Sequence, residues 1–279
     1  MSEYGKDARL SYSEYLHVPQ LLREQVCQTD PPAHDELQFI VVHQVYELWF
    51  KLVLFELDAV HAAIDTGDDD SLRTATRLLR RVETIFKVLV QQIHVLETMR
   101  PVDFLAFRAK LNPASGFQSV QFREVECLLG LKDEQLLLRV GGDPRIAALR
   151  ARFEGDSIAD ALYRLFASRG LRVVPPDEGR TEEQRDDTLQ ALRVIYEHPD
   201  ESAPLHDLCE ALVDVDEQVV LWRRHHVMMV ERQIGAKPGT GKGTTGELDG
   251  IRYLVTTLNK RACQDLWDVR TVLAMPEAP

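Results

Sequence analysis

Three stretches of this chain, each of about thirty residues, space their apolar side chains at helical intervals with almost no helix breaker, which restricts the fold more than any other feature. From Asp35 to Ala63 the sequence is apolar around much of its circumference. Leu37, Val41, Val45, Leu48, Leu52 and Phe55 fall at steps of three and four, which predicts a deeply buried helix. Asp30, Pro31 and Pro32 precede it as a turn, Asp35 and Glu36 suit the positive end of its dipole, and Thr66, Gly67 and three aspartates end it. From Ser71 to about Met99 a second pattern, free of glycine and proline, predicts a helix of about 40 Å. A third runs from about Pro204 to Ile234.

Such lengths predict an all-α bundle of long helices. Pro101 opens a shorter helix to Leu111, Asn112 to Phe117 form a loop, and a further helix carries Val120 to Leu129 until Gly130 stops it. Residues 131–200 read as shorter, peripheral helices broken by glycine and proline, with a strand-like stretch only at Leu171 to Val174. Two helical patterns close the chain. With no repeat and no long linker, residues 1–279 read as one domain.

The balance of 33 basic against 45 acidic residues, a formal charge of −12, argues against duplex nucleic acid or an anionic membrane as the main partner. Cys27, Cys127, Cys209 and Cys263 lie far apart with no C-x-x-C pair, and no window approaches the ~18 apolar residues of a membrane span. The expected location is the cytoplasm.

The third long helix carries a stripe at Leu205, Leu208, Leu212, Val215, Val219 and Trp222 whose alternation of three and four continues to His226 and Met229, and leaves His225 off it. A histidine at a core position is either a hydrogen-bonded structural residue or a ligand to a metal or haem iron. His43 poses the same choice on the first helix, where Phe39, His43, Tyr46 and Phe50 share a face. Neither histidine has the i, i+4 partner of a zinc site, so a haem with one axial histidine suits the pair better. Arg108 lacks an acid three or four residues away and is either a surface cation or the seat of a substrate carboxylate. Gly241 to Gly246 match G-x-G-x-x-G, yet the segment follows a helix and not a strand. It reads as a loop over a ligand or a plain linker rather than a nucleotide site.

Taken with their spacing, these residues resemble the tryptophan 2,3-dioxygenase family. The resemblance rests on Tyr12-Ser-Glu-Tyr-Leu16, His34-Asp-Glu, and Phe39-Ile-Val-Val-His43-Gln-Val-Tyr-Glu-Leu-Trp49. It continues through Phe104-Leu-Ala-Phe-Arg108, Pro113-Ala-Ser-Gly-Phe-Gln-Ser119, Leu221-Trp-Arg-Arg-His-His226 and Gly239-Thr-Gly241. It implies an enzyme with one haem b per subunit that opens the indole ring of L-tryptophan with dioxygen to give N-formylkynurenine. In that likeness His226 is the proximal iron ligand, with Trp222, Ser115 and Gly116 also at the cofactor. His43 meets the indole N–H, Phe39 walls it, and Arg108 pairs with the carboxylate. Thr240 meets the amino-acid head group, and Phe104, Leu111, Ser115 and Gly116 complete the substrate's surroundings. Tyr12, Tyr15 and Leu16 match residues that complete a neighbour's pocket, implying a homotetramer with exchanged N-termini.

Two features depart from the family pattern: Gly241 is followed by Lys242-Gly-Thr-Thr-Gly246, one residue longer than the usual Gly-Ser-Ser-Gly, and Phe104 stands where some members have tyrosine. The alternatives are a related haem monooxygenase of secondary metabolism acting on tryptophan or a substituted tryptophan, and more remotely a haem-binding sensor without activity. Between Trp222 and Lys242 five basic residues face one acid, a net of +4 inside a chain of −12, which is either a solvated charged face or the basic surround that haem propionates and a substrate carboxylate require.

Overall fold

The computed structural model describes residues 10–112, 114, 116–134, 137, 140, 143–176, 179–235 and 254–274. Among them there is no β-strand, and the fold is all-α as the periodicities predict. Two single-turn helices, α1 (Tyr12–Tyr15) and α2 (Val18–Leu21), lead into α3 (His34–Thr66) and α4 (Asp69–Leu96). Gly67, in the left-handed region at φ 74°, ends α3, and Asp68 caps α4 by accepting from the Asp70 and Ser71 amides. The two-residue turn makes α3 and α4 an antiparallel hairpin. Side-chain bonds record its register: Gln38 donates to the Val95 carbonyl, Gln92 to that of Val42, and the Tyr46 hydroxyl to that of Leu89.

After α5 (Pro101–Arg108) and α6 (Val120–Leu129) come α7 (Ile146–Glu154), α8 (Ile158–Ser168), α9 (Glu182–Glu197), the long α10 (Ala203–Ile234) and the short α11 (Gln264–Asp268). Helix α10 packs along α4, and α3, α4 and α10 enclose the main core. Val53, Leu57, Leu79, Val82, Phe86 and Leu208 are completely buried there, each such side chain contributing about 1.5–3 kcal/mol. The stripe on α10 is buried from Leu205 to Trp222 and again at Met229, with His226 between them half-buried at a cavity.

Helix α3 departs from expectation. The residues read as its buried stripe are its open side: Leu37, Val41, Leu48 and Phe55 are 49%, 41%, 52% and 70% exposed, and Val45 and Leu52 are half-buried. Val42, Tyr46, Phe50, Val53, Leu57, Val60 and Ile64 face the core instead. A helix apolar on every side carries no periodic signal for which side its neighbours cover. By length and composition α3 also passes as a membrane span. Its packing against α4, α6 and α8, and Glu56 buried on it against Arg81, make it the central helix of a bundle.

The segment expected to be peripheral is only partly so. Ile158, Leu162 and Phe166 of α8 belong to the main core, while Leu149 of α7 joins Val120, Cys127 and Val140 in a smaller one. Arg152 bridges to Asp58, Arg164 to Asp65 and Arg169 to Asp69, clipping α7 and α8 onto the hairpin. Leu171 to Val174 form no strand: the Val174 amide donates to the Thr188 hydroxyl, and Leu171 and Val173 pack on the core from chain without regular structure. All four cysteines are free.

Candidate active site

A cavity of about 520 Å³ opens between α3, the ends of α4 and α5, the start of α6 and the second half of α10. Phe39, His43, Tyr46 and Phe50, spaced at helical steps on α3, line one wall, and Trp222, His226, Met229 and Gln233 line another from α10. Phe104, Arg108, Leu111 and Gly116 come from α5 and the chain after it. His43, Phe39, Arg108, Phe104, Leu111, Gly116, Trp222 and His226, selected from sequence, therefore share one cavity. Ser115 and Thr240 lie outside the described residues. Tyr12, Tyr15 and Leu16 do not line this cavity; they are exposed on and beside α1.

His43 Nδ1 is 2.7 Å from the Phe39 carbonyl oxygen one turn back. A carbonyl only accepts, so Nδ1 carries the proton and Nε2 of the neutral ring is an acceptor. Burial lowers the pKa of His43, against opposing pulls from the Phe39 carbonyl and the Glu47 charge. The Phe39 ring lies 4.0 Å from the imidazole, with Phe104 and Phe107 each 5.6 Å from Phe39. Phe107, completely buried, is the member of this aromatic group that periodicity did not single out.

Glu47, one turn beyond His43, accepts from the Ser119 hydroxyl at 2.6 Å and from Gln121 Nε2 at 2.7 Å. Ser119 also caps α6 by accepting from the Phe122 amide. The chain between Arg108 and α6 is thereby tied to α3 beside His43. A Cβ on Gly116 would meet nothing within 4 Å, so glycine here leaves open space at the cavity wall.

The imidazole of His226 stacks on the indole of Trp222, with centroids 5.3 Å and planes 5° apart. Burial, reinforced by His43 and Arg123, lowers its pKa to about 4. It is neutral at pH 7, as a metal-ligating imidazole must be. His225 turns the other way, its ring edge-on to His94 at 5.4 Å, and does not line the cavity. Among the described residues no group of three or more histidines, cysteines, aspartates or glutamates is placed to hold a metal ion. A metal at His226 would bring its remaining ligands with it.

The wall also contains charges that the sequence did not reveal as buried. Arg123 and Arg223, 6% and 5% exposed, both donate to Glu126, 3% exposed, the Arg223 Nη2 bond measuring 2.6 Å. Arg123 and Glu126 lie three apart on α6, a spacing that also describes a surface ion pair; only the apolar residues around them hinted at depth. Among the described residues five buried side-chain polar atoms lack a hydrogen-bond partner, and three belong to this wall: Arg123 Nε, Trp222 Nε1 and Gln233 Oε1. Native proteins rarely leave such groups unmet, so the wall is chemically incomplete without an occupant.

A family profile described as "Tryptophan 2,3-dioxygenase" matches residues 2–145 and 180–273. The chain belongs to the tryptophan 2,3-dioxygenase family. A tryptophan 2,3-dioxygenase of Anaeromyxobacter sp. (strain K) is 44% identical over 269 residues, covering 95% of this chain and 97% of its own. That of Nocardioides sp. is also 44% identical, covering 95% and 96%. The Myxococcus xanthus enzyme is 38% identical over 273 residues, covering 96% and 91%. Within the family profile, residues 146–179 are the unmatched stretch, and they hold α7 and α8.

Proposed function

We propose that this chain is a haem-dependent dioxygenase, acting in the cytoplasm, that adds both atoms of dioxygen across the indole C2–C3 bond of L-tryptophan to give N-formylkynurenine. Family membership supports the reaction, and one observation supports its location: an acceptor imidazole, a neutral buried imidazole and Arg108 line the same aromatic cavity. The wall fits haem b. Trp222, Phe50 and Phe122 would offer it aromatic surface, His226 would offer a nitrogen to its iron, and the buried arginines would suit its carboxylates. When bound, haem supplies the iron centre at which dioxygen is taken up and activated.

The remaining work falls to side chains. Nε2 of His43 accepts the indole N–H and so sets which ring edge faces the oxygen. Phe39 and Phe104 flank the ring and, with Phe107 behind them, keep water from it. Arg108 pairs with the carboxylate as a planar two-pronged donor. Thr240, with Ser115 and Gly116, completes the substrate and cofactor surroundings. The protein works as a homotetramer of single-domain subunits, with Tyr12, Tyr15 and Leu16 reaching a neighbour's pocket; the open apolar side of α3 supports such burial. Incubating the haem-loaded protein with L-tryptophan in air tests the reading. N-formylkynurenine is the expected product, and a protein that binds haem and L-tryptophan without turnover would be a sensor instead.

A further inference from the structure

The buried group at the head of α6 does not balance its charge. Two guanidiniums, on Arg123 and Arg223, share the single carboxylate of Glu126, and all three side chains are more than nine-tenths buried. Arg223 Nη1 turns to the Thr257 and Lys260 carbonyls, each at 3.4 Å, which accept hydrogen bonds without cancelling a charge. Among the described residues the Arg123 Nε–H has no partner. Among the described residues the other charges of the wall do not supply the missing anion. Glu47 is held by Ser119 and Gln121, and Arg145 is matched by both oxygens of Asp143. An uncompensated cation under this much protein is costly unless an anion meets it.

We infer that Arg123, backed by the Glu126–Arg223 pair, is the seat of a carboxylate on the edge of the bound haem. The inference rests on the haem reading above and assigns one residue within it. A carboxylate there neutralises the group and gives Arg123 its remaining acceptor. The amino-acid substrate also carries a carboxylate, but Arg108, on α5, is the cation at the aromatic group of Phe39, Phe104 and Phe107. Arg123 instead lies over the Phe122 ring, 4.9 Å from its centroid, and Phe122 packs on Trp222, the indole stacked on His226.

The full chain is reconstituted with haemin and, separately, with haemin dimethyl ester, whose carboxylates are masked. Loss of each to an excess of a haem-scavenging globin is then followed. Wild-type protein should release the ester on the order of tenfold faster than haemin, the size of effect expected for a charge-assisted hydrogen bond. Arg123→Gln should release both at one common rate, and Arg123→Lys should keep part of the preference. Equal rates in the wild-type protein overturn the assignment without requiring any variant to fold. So does a full preference that survives in Arg123→Gln. A loss of discrimination between L-tryptophan and tryptamine in that variant, with its haemin preference intact, moves the seat to the substrate and overturns it as well. Failure to hold either compound counts against the haem reading itself, a result distinct from holding both equally.

Discussion

The Trp222 indole lies parallel to the His226 imidazole one helical turn further along α10, their planes 5° apart. An i, i+4 stack of this kind fixes the plane of the imidazole before any ligand arrives. It also separates two adjacent histidines, because His225 packs on His94 instead. His226→Ala should therefore purify without a haem Soret band, while His225→Ala retains it. Absorbance spectra of the two purified variants check this, and the reverse pattern would transfer the ligand role to His225.

Arg108 stands at the end of α5, where the 3-10 turn Ala109–Leu111 begins, and it lines the cavity beside Phe104. Removing a charge-assisted pair costs about 1.5–3 kcal/mol. Arg108→Ala should weaken L-tryptophan, measured as KM or by spectral titration, by about tenfold or more, and leave tryptamine nearly unchanged. Equal losses for both ligands would remove Arg108 from the carboxylate.

His43 serves as an acceptor only while neutral. Burial holds its pKa below the ordinary imidazole value of about 6.5, so the neutral form persists through that pH and is lost only as pH falls further. The acid limb of the kcat/KM profile should lie below pH ~6.5 and be altered in His43→Ala, which should still bind haem. An unchanged profile in a fully active variant would make His43 structural.

The legible part of this chain was the part in which periodicity points one way. The α10 stripe identified both the helix and the inward turn of His226, and Gly130, at φ 108°, ends α6 where the sequence places its stop. Helix α3 was legible as a helix but not in its orientation, because apolar residues surround it. Arg123 and Glu126 were invisible for a different reason: charge in sequence looks the same exposed or buried, and only the seating of α6 on α3, with Arg223 of α10 reaching Glu126, puts them under cover. The role of α8 depends on Ile158, Leu162 and Phe166 meeting α3 across a long separation, which local pattern does not encode.

Asp265 provides a test of the scaffold away from the cavity. It is 2% exposed, receives Arg180 through both carboxylate oxygens at 2.5 and 2.9 Å, and accepts from the Tyr163 hydroxyl. Asp265→Ala strands the Arg180 guanidinium and should cost about 3–5 kcal/mol, lowering Tm by about 10 °C. Calorimetry measures it; a change under about 1 kcal/mol would mean that water reaches Arg180 freely.

In the proposed reaction both atoms of one dioxygen molecule enter the indole. Mass spectrometry of the product formed from L-tryptophan under oxygen-18 gas counts them directly. The expected product is N-formylkynurenine carrying two labelled atoms, one on the formyl group and one on the side-chain aryl ketone. A product with a single labelled atom and the C2–C3 bond intact would contradict it and make the protein a monooxygenase on the same scaffold.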